Sequence, residues 1–129
     1  MPPAPKPLVQ IRGVALTLES AAGAVNILRG VDLEVAPSET LAITGPSGSG
    51  KSTLLAVMTG LERPSEGTIT VAGLDLGTMD EDALALFRRD TIGIVFQSFY
   101  LIPTMTALEN VAVPLELAGN KDAFTIAAA

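Results

Sequence analysis

The stretch GPSGSGKST, residues 45–53, decides the fold of this chain. Its glycines and serines are also typical of a flexible linker, so two interpretations compete: a hinge between domains, or a loop that binds phosphate. The stretch follows a short apolar segment, TLAIT at 40–44, and ends in Lys51, two hydroxyl side chains and an apolar stretch with helical spacing. A flexible linker does not have these neighbours. The strand–loop–helix context therefore favours the phosphate-binding loop.

Residues 45–52 match the pattern G-x-x-x-x-G-K-[ST] without a gap. Glycines within the loop can adopt positive φ and carry no Cβ, so backbone N–H groups can turn toward an anion. The helix that begins near Lys51 adds unpaired N–H groups and the positive end of its dipole. Lys51 is predicted to neutralise the β- and γ-phosphates of a nucleotide, and the Ser52 hydroxyl to ligate Mg²⁺. The predicted nucleotide-binding residues are Gly45, Pro46, Ser47, Gly48, Ser49, Gly50, Lys51, Ser52 and Thr53.

The composition limits the classes of protein to which the chain can belong. Its 129 residues are 48% hydrophobic and 17% charged, as in a folded domain. The net charge of −6 is the opposite of the basic footprint of nucleic-acid-binding proteins, so no nucleic acid is predicted as a partner. The absence of Cys and His excludes disulfides, a thiolate nucleophile and zinc sites built from those ligands. The proline-rich residues 1–7 are predicted to be a disordered lead-in and not a signal peptide.

Apolar alternation and turn residues predict the strands. Half-buried strands are expected over 8–19, 25–35 and 67–73. The short apolar runs TLAIT (40–44) and TIGIVFQ (91–97) are expected to be buried strands, TLAIT of the parallel kind. No apolar run reaches the roughly 18 residues that a membrane span needs.

Three helices are predicted. The first follows the loop, and its predicted buried face consists of Leu54, Leu55, Met58 and Leu61. The second, over 80–90, has acids in its first turn and arginines in its last, as the helix dipole favours. The third opens with a capping box of Thr106 and Glu109, and Pro114 is expected to bend or end it.

Beyond the loop, the sequence resembles the ATP-binding cassette (ABC) transporter ATPases from about Val9 to Leu117. GPSGSGKSTLL is similar to the Walker A motif of that family, and GIVFQSFYLIPTMTALENV resembles its Q-loop region, with Gln97 at the end of a buried strand. ILRGVDLEVAPSETLAITG and SEGTITVAGLDL resemble the strands of its antiparallel β subdomain and core. The Q-loop segment is most similar to the branch that includes lipoprotein-releasing and macrolide-export ATPases.

The resemblance implies an α/β fold: a P-loop NTPase core with an antiparallel β subdomain, truncated before the helical subdomain is complete. Residues 8–118 would then be the N-terminal part of one ATPase domain, and residues 119–129 a tail of unclear structure. The implied function is that of an ATP-binding subunit that couples MgATP binding and hydrolysis to export or extraction through a membrane permease. A second ATPase subunit is the other implied partner, and the implied location is cytoplasmic, on the inner face of the cell membrane.

The resemblance also assigns roles to single residues. Lys51 and Gln97 are the implied catalytic residues, and Ser52 and Gln97 the implied Mg²⁺ ligands. An amide suits the second role, because its oxygen can ligate a hard cation or accept a hydrogen bond from water without adding charge. Gln97 would at the same time link the ATP site to the membrane partner.

Several family features are absent from this sequence. It has no histidine to act as the family's switch residue, no Walker B Asp-Glu and no serine-glycine signature. Asp80, Glu81 and Asp82 are interpreted instead as a solvated first helical turn. We therefore expect the 129-residue chain to hydrolyse ATP negligibly on its own and to fold poorly.

The expected adenine contact departs from the family as well. No aromatic residue precedes Phe87, and Leu18 lies where an aromatic ring is expected, so weak selectivity for the base is predicted. GNKDA at 119–123 approximates the N-K-x-D pattern of GTPases, but Ala123 occupies the position of the aspartate. Two alternatives stay open: a non-transport ABC protein that acts in repair or translation, and a nucleotide-binding module without turnover.

Overall fold

The computed structural model describes Met1 and residues 6–129. The predicted lead-in over 1–7 falls mainly on residues 2–5, which lie outside the described residues. Two compact units divide the chain, Met1–Ile92 and Gly93–Ala129.

The first unit contains an antiparallel sheet. Its strands are β1 (Val9–Ser20), β2 (Gly23–Val35), β3 (Glu66–Val71) and β4 (Leu74–Asp75), in the spatial order β2-β1-β3-β4. A tight turn joins β1 to β2, and the strands then pair from Ser20↔Gly23 back to Val9↔Val35. The predicted strands over 8–19, 25–35 and 67–73 are therefore confirmed.

Helices complete the first unit. α1 spans Lys51–Met58, a 3₁₀ turn spans Leu76–Thr78, and α2 spans Glu81–Thr91. The Asp80 carboxylate accepts the Ala83 N–H at 2.8 Å and caps α2. The predicted helix over 80–90 is thus confirmed, with Glu81 and Asp82 in its first turn and Asp80 as the N-cap residue before it.

One core lies between the sheet and these helices. Its buried members are Ile11, Val14, Leu16, Leu28, Leu54, Val57, Ile69, Val71, Leu76, Leu84 and Phe87. This corrects the predicted face of α1, because Val57 is buried while Leu55 and Leu61 are 52% and 47% exposed. The apolar run of α1 offers two overlapping faces, and its packing against β2 and β3 selects the one that carries Leu54 and Val57.

The two short apolar segments do not form strands, so that prediction is wrong. TLAIT (40–44) has no regular secondary structure, and Thr91 is the last residue of α2. A strand requires a ladder of hydrogen bonds to a neighbour. Within residues 6–129, the only strand pairs are β1–β2, β1–β3 and β3–β4, so neither segment has a partner.

The second unit contains α3 (Ala107–Leu117) and α4 (Ala123–Ala128), which pack against each other. α3 begins with the predicted capping box, but it continues past Pro114 to Leu117 and does not end at the proline. α4 forms in the predicted tail, which carries no clear sequence signal. No helix in the described part of the chain is long and apolar enough to span a bilayer.

Candidate functional site

The loop over 45–50 reaches α1 through two glycines in the left-handed region. Gly48 has a φ of 77° and Gly50 a φ of 91°. Residues with a Cβ rarely adopt such backbone angles, whereas glycine does so readily. Gly50 is the N-cap residue of α1, and no side chain in the described structure caps this helix. The N–H groups of the first turn therefore lack a partner within the helix and can serve an anion.

Lys51 lies against the backbone of the same loop. Its Nζ donates hydrogen bonds to the carbonyl oxygens of Gly45 at 2.8 Å and Pro46 at 2.7 Å, with a longer contact of 3.4 Å to Ser49 Oγ. A methyl group at Gly45 would lie 2.9 Å from Ser49 Oγ, so a larger residue there would make the serine side chain move. The ammonium group is thus held at the loop, within reach of any anion bound there.

The loop is accessible to a ligand. Residues 45–49 and Ser52 are exposed, while Gly50, Lys51 and Thr53 are half-buried. Exposed hydroxyls, unpaired N–H groups and one ammonium group form a donor set that matches the oxygen atoms of a phosphate chain. The residues present therefore fit a nucleotide polyphosphate.

The loop contains few groups that could hold a metal ion without a nucleotide. In the parts of the chain that the structure describes, no group of three or more His, Cys, Asp or Glu residues comes together as a metal site. Mg²⁺ commonly takes one or two protein oxygens and completes its shell with substrate phosphates and water. The exposed Ser52 hydroxyl at the start of α1 fits that limited role.

Leu18, the predicted position of the adenine contact, lies near the tip of the β1–β2 hairpin. It pairs with Val25 on β2, and the two side chains are 42% and 52% exposed. This places an aliphatic surface, and not an aromatic ring, at the hairpin tip.

Gln97 belongs to the second unit, where its side chain is exposed. In the sequence it lies between Phe96 and Tyr100, whose rings meet edge to face with centroids 5.1 Å apart. Tyr100 adopts a φ of 49°, an uncommon angle for a residue with a side chain. The Gln97 segment is thus an irregular loop with exposed aromatic residues.

Asn110 fixes the chain between this loop and α3. This role of Asn110 was not predicted from the sequence. Its Oδ1 accepts the Ile102 N–H at 2.8 Å, and its Nδ2 is within 3.2 Å of the carbonyl oxygens of Ile102, Met105 and Thr106. Asn side chains commonly bond to nearby backbone, so an asparagine four residues after a predicted N-cap was the available signal.

The capping box of α3 adds a second constraint. The Thr106 N–H and hydroxyl both donate to the Glu109 carboxylate, at 2.7 and 2.8 Å, and the Glu109 N–H donates back to the hydroxyl at 3.2 Å. Hydrogen bonds from the backbone and then from the side chain of Thr106 hold the pKa of Glu109 below its ordinary value. The segment from Ile102 to Glu109 is therefore ordered by side chains.

Sequence comparison identifies the family. A family profile described as ABC transporter matches residues 28–129, which include the whole phosphate-binding loop. The chain belongs to the ABC transporter family. The resemblance based on Walker A and the Q-loop region is thereby confirmed.

Individual ABC relatives confirm the similarity to the branch that includes lipoprotein-releasing and macrolide-export ATPases. Lipoprotein-releasing system ATP-binding protein LolD of Anaeromyxobacter dehalogenans is 46% identical over 121 residues, which cover 94% of this chain and 51% of LolD. Macrolide export ATP-binding/permease protein MacB of Marinobacter nauticus is 45% identical over 115 residues, covering 89% of this chain and 18% of MacB. The chain thus spans about half of the LolD sequence.

A solved ABC structure confirms the fold class. The dimeric post-hydrolysis state of the ATP-binding cassette MJ0796, bound to ADP and Pi, matches with a TM-score of 0.85 and 37% identity. The match covers 92% of this chain and 53% of that one. The predicted fold class, part of an α/β P-loop NTPase with an antiparallel sheet, is therefore confirmed, although TLAIT and TIGIVFQ do not form strands.

Proposed function

We propose that this chain is the nucleotide-binding part of an ABC transporter ATPase, and that residues 45–53 bind the phosphates of ATP. The observation that supports this most strongly is the conformation of the chain where the loop meets α1. There Gly50 takes a left-handed φ of 91°, and α1 starts without a side-chain cap. The donors of the loop and first turn would bind phosphate oxygens, and Lys51 would exchange its contacts with backbone carbonyls for contacts with the β- and γ-phosphates.

Mg²⁺ is the second ligand that we propose. The Ser52 hydroxyl would be one of its ligands, and the resemblance to the family implies the Gln97 side-chain oxygen as another. The ion would neutralise phosphate charge. We also propose that Gln97 links the ATP site to the permease, since it lies in an exposed irregular loop beside aromatic side chains.

The partners would be a membrane permease subunit and a second ATPase subunit, on the cytoplasmic face of the membrane. Similarity to LolD and MacB supports a role in export or extraction, and the dimeric state of the MJ0796 cassette supports pairing of two ATPase subunits. We expect the 129-residue chain alone to bind nucleotide without turnover, because its sequence has no histidine and no Walker B Asp-Glu.

Titration of the chain with MgATP tests this proposal. Lys51→Ala removes the only charged side chain of residues 45–53, and hydrogen bonds to charged groups contribute about 1.5–3 kcal/mol. We therefore expect the Kd to rise about 10- to 100-fold. Lys121→Ala, in the second unit, is the matched control and should leave the Kd unchanged. Equal affinities for the wild type and Lys51→Ala would show that the loop does not bind the phosphates.

The same titration with MgGTP tests the base contact. Because Leu18 provides an aliphatic surface, we expect ATP and GTP to differ by less than about tenfold, or about 1.4 kcal/mol. A larger preference for ATP would mean that another group recognises adenine.

A further inference from the structure

The end of the phosphate-binding loop is in close contact with β2. A methyl group placed on Gly50 would lie 3.2 Å from the carbonyl oxygen of Ile27 and 3.3 Å from Leu28 Cδ2. Leu28 is only 6% exposed and belongs to the core of the first unit. The backbone of Gly50 therefore packs directly on a strand far away in the sequence.

The helix also bonds to the same glycine. The Leu54 N–H donates to the Gly50 carbonyl at 2.8 Å, and Leu54 is a member of the same core cluster as Leu28. Gly50 thus contacts both β2 and the first turn of α1. Its position sets the direction of the N–H groups at the start of α1.

We infer that Leu28 is a positioning residue for phosphate binding, acting through Gly50. This inference rests on the proposed function of the loop. Binding sites lose much of their effect when supporting residues let the donors shift by about 0.5 Å. Shortening Leu28 removes the contact with Gly50, so the loop and the first turn of α1 gain freedom. The affinity for a phosphate chain should fall, whatever base the nucleotide carries.

The chain offers a matched control at the opposite end of α1. Leu84 is 1% exposed, and its Cδ2 lies 3.0 Å from the position of a methyl group on Gly60, just after the helix. Leu28→Ala and Leu84→Ala therefore remove the same atoms from the same core, at the loop end and at the far end of α1. A general loss of stability affects both variants, whereas a loss of loop position affects only Leu28→Ala.

The experiment measures the Kd of inorganic tripolyphosphate and of MgADP for the wild type, Lys51→Ala and the two leucine variants, at a temperature where circular dichroism shows each to be folded. We expect Leu28→Ala to weaken both ligands by about tenfold relative to Leu84→Ala, since small misplacements at a site cost large factors. If either variant does not fold, Leu28→Val and Leu84→Val make the same comparison with a smaller truncation.

The possible outcomes separate the two proposals. Equal losses in the Leu28 and Leu84 variants would overturn the inference and leave the proposed function intact, provided that Lys51→Ala still weakens binding. A loss for MgADP but not for tripolyphosphate would also overturn it, because Leu28 would then affect the nucleoside and not the loop. Absence of Lys51-dependent binding in the wild type would overturn both.

Discussion

The β1–β2 hairpin and the segments 40–44 and 91–97 have similar apolar sequences but different structures. β1 and β2 are joined by a tight turn and pair along their length. Neither segment has a partner strand within residues 6–129. The exposure of two valines shows the consequence: Val14 on β1 is 0% exposed, while Val95 is 101% exposed.

This difference shows what an apolar pattern can establish. Alternation or a short apolar run marks a segment that can become a strand, because both favour a half-buried or buried extended chain. Whether the strand forms depends on hydrogen bonds to a neighbour, which a short turn supplies to the hairpin. Leu41 stays 43% exposed, whereas Ile43 partly packs on the core without forming a strand.

The largest expected effect is the difference in stability between Val14→Ala, in the hairpin, and Val95→Ala, in the segment 91–97. Val14 lies in the core, so its truncation should lower the free energy of unfolding by about 2–3 kcal/mol through lost burial and a cavity. Val95→Ala should change it by less than about 0.5 kcal/mol, as is usual for exposed positions. Urea unfolding followed by circular dichroism gives both values. A cost at Val95 equal to that at Val14 would mean that residues 91–97 are packed in solution.

Asn110→Ala tests whether side-chain hydrogen bonds, and not strand pairing, order the second unit. The Ile102 N–H bonds to Asn110 Oδ1 at 2.8 Å. Loss of this bond, at about 1–1.5 kcal/mol, should speed hydrogen exchange of the Ile102 amide by about tenfold. Asn120→Ala is the matched control, because the Asn120 side chain accepts a hydrogen bond only from the nearby Asp122 N–H among the described residues. Similar exchange at Ile102 in both variants would show that Asn110 does not order the segment.

The smallest expected effect is the pH dependence of the α3 capping box. Hydrogen bonds from Thr106 lower the pKa of Glu109 in the folded chain. The carboxylate therefore adds stability above the ordinary glutamate pKa of about 4.3. That contribution is lost as the pH falls from there through the folded pKa.

Glu109→Gln is the matched variant for this effect, because glutamine can form a capping box but does not titrate. Urea unfolding at pH values from about 6 to about 3 should show a steeper decline for the wild type than for Glu109→Gln. Parallel curves for the two proteins would contradict the effect of Thr106 on the Glu109 pKa.

The parts of the fold and site that depend on local sequence could be predicted. The loop over 45–53 follows from a motif whose residues are neighbours along the chain, and the capping box of Thr106 and Glu109 follows from residues within one helical turn. The hairpin strands could be predicted because their partner is also near in sequence.

The remaining features depend on residues far apart in the sequence. The buried face of α1 is set by contacts with β2 and β3, which the apolar spacing of Leu55 and Leu61 does not reveal. The contact of Leu28 with Gly50 likewise joins two elements. No periodic pattern encodes such packing, since many arrangements of apolar side chains satisfy the same spacing.

The central claim, that the N–H groups of the loop and first turn bind phosphate, can be tested residue by residue. Amide resonances of the ¹⁵N-labelled chain would be followed while MgADP is added. We predict that the largest shifts and the strongest slowing of hydrogen exchange occur at Gly48, Gly50, Lys51, Ser52 and Thr53, with Ile11 and Ile69 in the sheet nearly unchanged. Binding of MgADP that leaves those five amides unshifted would contradict the account.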